Sequence, residues 1–96
     1  DRNGLELTLM DPWNTPVGAA TAYFYRSRSV YLLDTLYNNS QFKLVTDDGG
    51  FASAYILPAA KYYFKAIKII GKDTLTATDS FNVPAQGIDR KTKQMQ

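Results

Sequence analysis

Short runs in which apolar and polar residues alternate, each ending at Pro, Gly, Asn or Asp, set the tightest limit on what this chain can become. Leu5, Leu7 and Leu9 alternate with Glu6, Thr8 and Met10, the period of two that turns one face of a strand to a core and the other to solvent. Asp11, Pro12, Asn14, Pro16 and Gly18 then force a turn, with Trp13 inside it. Residues 20–26 resume the alternation, with Ala20, Ala22 and Phe24 on one face and Thr21, Tyr23 and Tyr25 on the other. Residues 27–40 fit a strand or a short helix, because Val30, Leu32, Leu33, Leu36 and Tyr37 suit both spacings.

The pattern continues to the end of the chain. Residues 42–46 alternate into Asp47-Asp48-Gly49-Gly50, a strong turn signal, and a hairpin to a strand over 51–56 is expected. Leu57-Pro58-Ala59-Ala60 connects to an aromatic and β-branched run over 61–70, and Gly71-Lys72-Asp73 turns that run back into a Thr-rich strand over 74–83. Residues 88–96 form an edge strand or a polar tail. About seven short strands predict one all-β domain over 1–96, an antiparallel Greek-key β-sandwich with room for a short helix within 28–37.

Composition removes whole classes of function. The chain has 96 residues, 45% of them hydrophobic, with seven Tyr, five Phe and one Trp, so it folds around a single core. Its net charge of +2 arises from 11 basic and 9 acidic residues spread along the sequence, unlike the one-sided positive field that nucleic acid requires. There is no Cys, which excludes disulfides and thiolate metal sites, and no His, the commonest general base at neutral pH. No cofactor, metal site or catalytic residue is expected, and no run is long enough for a transmembrane segment. The first residue is Asp1, not Met, which suggests a mature or excised fragment whose targeting segment has been removed.

Two stretches carry a family resemblance. Leu9-Met10-Asp11 through Pro16-Val17-Gly18-Ala19-Ala20, and Thr46-Asp47-Asp48-Gly49-Gly50 followed by Leu57-Pro58 and Tyr62, resemble the carboxypeptidase regulatory-like and transthyretin-like (prealbumin-like) sandwich domains. Ala19 and Ala60 stand where that pattern usually has Gly. The resemblance implies an immunoglobulin-like Greek-key sandwich and an extracytoplasmic setting, in the periplasm or on the cell surface, as part of a bacterial lipoprotein with a lipid anchor upstream of the chain. It also implies a non-enzymatic binding, adhesion or spacer module, since the related hydrolases carry catalytic histidines that are missing here. Glu6 without a Lys in the first strand argues against the isopeptide crosslink of related adhesin domains.

Candidate contact residues follow from the aromatic content. Trp13 with Tyr23, Tyr25 and Tyr37 offers stacking faces for a sugar, and Phe51, Tyr55 and Tyr63 are expected to leave rings on an outer sheet face. The partner is thus a protein or a glycan of unspecified identity. A small-ligand carrier built at a dimer interface is the remaining alternative. Asp47-Asp48 has too few oxygens nearby for Ca²⁺. Asp34, Asp73 and Asp79 assemble no acid/base pair from sequence, and Arg90, Lys91 and Lys93 read as a solvated basic end.

Overall fold

A strand with one apolar face is stable only when another layer covers that face, and here two sheets cover each other. The computed structural model describes residues 2–96. In chain order it contains β1 (Asn3–Met10), β2 (Thr21–Tyr25), α1 (Arg28–Leu33), β3 (Phe42–Val45), β4 (Phe51–Tyr55), β5 (Ala60–Ile70), β6 (Asp73–Val83) and β7 (Gly87–Gln94). One sheet has the order β4-β1-β7 and the other β3-β2-β5-β6. The domain is the expected seven-strand sandwich, and the ambiguous stretch after β2 resolves into a helix.

The alternation read from the sequence is the alternation that builds the core. Leu5, Leu7 and Leu9 from the three-stranded sheet meet Ala22, Phe24, Tyr62, Phe64 and Phe81 from the four-stranded sheet, all but inaccessible to solvent. Each fully buried Leu or Phe contributes about 1.5–3 kcal/mol through the apolar surface it removes from water. Phe24 stacks on Phe42 with ring centroids 4.9 Å apart and also meets Phe64 and Phe81. The inward residues of β4 are small: Ala52 is buried and Ala54 packs against the core cluster.

Two features depart from expectation. The turn at Asp47 to Gly50 closes no hairpin, because β3 and β4 lie in different sheets. The Asp47 carboxylate accepts from the Gly49 and Phe51 N–H groups, and the Gly50 carbonyl accepts from Leu9 at 2.8 Å, so the outgoing chain is handed to β1. Turn chemistry fixes where a chain reverses and leaves the choice of neighbour to the core faces. The sandwich is also not wholly antiparallel. β7 runs parallel to β1 from Asn3↔Gly87 to Met10↔Gln94, because the connection after β6 crosses between sheets before pairing. Asn3 anchors that crossing by donating to the Leu57 and Pro84 carbonyls, each at 2.7 Å.

The residues that carry the resemblance all have structural work. Buried Thr46 donates to the Val17 carbonyl at 2.7 Å and accepts from the Ala20 N–H at 3.0 Å. The Tyr62 hydroxyl donates to Pro58 at 2.7 Å, fixing the start of β5. Ala19 has φ +55°, a left-handed conformation that favours Gly.

Candidate functional site

The predicted contact residues separate into three places. Trp13 stands at one end of the sandwich. Tyr23, Tyr25 and Tyr63 lie on the outer face of the four-stranded sheet, and Phe51 and Tyr55 on the outer face of the three-stranded sheet, at edge strand β4. The outer-face aromatics thus form two groups on opposite faces, not one patch. Tyr63 sits opposite Tyr25 in the register, whereas the Trp13 end of β5 is marked by Ile70. Seven residues of strand put these ends roughly 23 Å apart, so Trp13 and the tyrosines form no common platform.

The tyrosine group is covered by the chain itself. Tyr37 stacks on Tyr23 at 4.7 Å between centroids, and Tyr31 of α1 stacks on Tyr63 at 5.2 Å and meets Tyr25 edge-on. Beneath them Asp34, buried at the end of α1, accepts from the Tyr25 hydroxyl at 2.8 Å and from the Asn39 and Asn38 N–H groups at 2.8 and 3.1 Å. Lys65 donates to the Asp34 carbonyl at 2.8 Å. Burial works against ionisation of Asp34, but the bonds from Asn39, Tyr25 and Asn38 and the Lys65 charge outweigh it and hold the carboxyl below its usual range. Burial, the bond to Asp34 and its charge push Tyr25 up. This anchor pins α1 to the sheet. An Asp preceding the Asn38-Asn39 turn was its only trace in the sequence.

With its ring faces packed against α1, this region keeps an open groove of about 430 Å³ bordered by Val30, Leu33, Asp34 and Leu36. Leu33 and Leu36 are 80% and 75% exposed. The groove's one carboxylate is already engaged in holding the chain.

The Trp13 end is organised differently. The Asp11 carboxylate accepts from the Trp13 and Thr15 N–H groups at 2.8 and 2.9 Å, an Asx turn that fixes the loop. Asp11 also receives a bond from the Gln94 amide on its carbonyl, and a bridge between Met10 and Pro16 closes the loop base. The loop therefore presents Trp13 with a fixed backbone, yet leaves the residue 81% exposed. Beside it lies a groove of about 400 Å³ lined by Pro12, Trp13, Ile70 and Leu75 and by the polar groups of Asp73 and Thr74. Among the described residues, the Asp73 carboxylate and Thr74 hydroxyl make no side-chain hydrogen bond, so both remain available to a ligand.

The remaining charged candidates have structural partners. Lys91 and Lys93 flank Asp79 at 3.2 and 3.4 Å across the gap between the two sheets, and Arg90 pairs with Glu6 at 2.7 Å. The basic end is thus a strand with neutralised charges and not a solvated tail. Burial opposes ionisation of Asp79, but the Ser80 N–H and the two lysines hold it below the usual range. A bond from Tyr55, then the Arg90 contact and charge, do the same for Glu6. Among the described residues no group of three or more acidic side chains is placed to hold a metal ion, and no helix is long and apolar enough to cross a membrane.

No protein-family model matches the chain, and comparison with curated proteins gives no significant match.

Proposed function

We propose that this domain is a non-enzymatic binding module of an extracytoplasmic, cell-envelope protein, and that the groove beside Trp13 is its recognition surface. The carrying observation is a large aromatic side chain held 81% exposed on a loop locked by the Asp11 Asx turn. Exposing an indole gives up burial energy, and the rigid loop lowers the ordering cost that a ligand would otherwise meet. A flat aromatic face next to unpaired carboxylate and hydroxyl groups suits a sugar, whose C–H face stacks while its hydroxyls bond to Asp73 and Thr74.

The two-sheet architecture is the one that the transthyretin-like resemblance implies, and the envelope setting in this reading rests on that sequence resemblance alone. The test is a titration of the purified domain with envelope glycans and peptidoglycan fragments, read by emission of its single Trp. Saturable change that disappears in Trp13→Ala supports the reading. A flat response across the panel overturns the sugar assignment.

A further inference from the structure

Four strand edges bound the two sheets, and three of them are unsuited to accept another strand. On β6, Thr76 exchanges backbone hydrogen bonds with Gln96, each 2.9 Å, while the Ser80 and Asn82 N–H groups are taken by the carboxylates of Asp79 and Asp89. β3 has four residues and carries Lys43, and β7 carries Arg90, Lys91 and Lys93. Long charged side chains along an edge guard it against a further strand, even where, as on β7, each has a carboxylate partner.

β4 differs. The bonds from Leu9 to Gly50 and from Ile56 to Asn3 fix its register with β1, so Ala52 and Ala54 face β1 and the backbone groups of Phe51, Ser53 and Tyr55 face outward. Asp47 holds both Phe51 groups. Among the described residues, nothing bonds to the backbone N–H or C=O of Ser53 or Tyr55. The strand, Phe-Ala-Ser-Ala-Tyr, has no charge, and Ile56 beyond it is 83% exposed.

We infer that two copies of this chain pair through β4, antiparallel, about a two-fold axis at Ala54. Ser53 of each copy then lies opposite Tyr55 of the other, and every open N–H and C=O of both strands is satisfied by four hydrogen bonds. An axis at Ser53 would instead set Tyr55 against Phe51, whose groups Asp47 already holds. Small side chains suit the junction, since Ala54 meets its own copy and Ser53 leaves space for the Tyr55 ring. β4 has no charged side chain of its own to guard it, a second copy offers the same two residues in the matching register, and the two three-stranded sheets become one of six strands.

Sedimentation velocity over a concentration series tests this with the whole chain, Ser53→Lys and Ala54→Cys. Lysine at 53 faces Glu6 across the β1–β4 pair, so the monomer keeps its fold, but two lysines approach across the axis. The expected result is a reversible dimer for the unchanged chain and an association about tenfold or more weaker for Ser53→Lys. Oxidised Ala54→Cys, the sole cysteine of that variant, is expected to run as a cross-linked dimer. An unchanged chain that stays monomeric throughout overturns the proposal and leaves the edge to a strand of another protein. So does undiminished dimerisation of Ser53→Lys, or an Ala54→Cys variant that does not cross-link.

Discussion

The Tyr25 hydroxyl donates to the Asp34 carboxylate at 2.8 Å, joining strand β2 to the turn that follows α1. Both residues are buried, at 1% and 6% exposure. Removing the hydroxyl in Tyr25→Phe is expected to cost about 1 kcal/mol. Asp34→Ala costs more, because it strands the hydroxyl and the Asn38 and Asn39 N–H groups together. Urea midpoints check the order, and faster hydrogen exchange confined to residues 28–39 would locate the loss.

The same pair gives stability two pH limits. Asp34, Glu6 and Asp79 all have folded-state values below the usual carboxylate range, so their contribution is complete above the unfolded value and disappears as pH falls through the folded one. Tyr25 is shifted upward, so its contribution is complete below the ordinary tyrosine value and is lost as pH rises from there through the higher folded-state value. A plateau from about pH 5 to 9 is expected in denaturant midpoints. Asp34→Asn makes the acid limb shallower, leaving the share of Glu6 and Asp79, and Tyr25→Phe flattens the alkaline limb.

Ala19 lies in the left-handed region at φ +55° and is exposed. Ala19→Gly is therefore expected to stabilise the domain by about 0.5–1 kcal/mol, relief of backbone strain exceeding the added freedom of the unfolded chain. Thermal melting checks the sign.

The strands were legible in the sequence because one residue in two faces the core, and Leu5, Leu7, Leu9, Ala22 and Phe24 all obey that rule. Sheet membership was not. Asp47 to Gly50 marks a reversal equally well within one sheet or between two, and nothing local specifies that β7 runs parallel to β1. At the candidate site, Trp13 was visible as an aromatic in a turn. Its partners Ile70 and Leu75 arrive from a distant hairpin, while of the tyrosines grouped with it Tyr25 packs against Tyr31 of α1 and Tyr23 and Tyr37 stack on each other. Asp34 could be read only as a carboxylate with no acid/base partner, because its anchoring role depends on Tyr25 and on backbone groups, whose positions only the fold supplies.

Function and stability separate at Trp13. With the residue 81% exposed, Trp13→Ala is expected to leave the unfolding free energy within about 0.5 kcal/mol of the parent. A larger loss in a urea titration would assign Trp13 a packing role in place of a recognition role.

The most direct test of the binding-module account is an ¹⁵N-resolved NMR titration of the domain with the same glycan panel. The account predicts saturable shifts of the Trp13 indole N–H together with Ile70, Asp73, Thr74 and Leu75, absent in Trp13→Ala. Shifts centred on α1, or no saturable shift with any glycan, would contradict it.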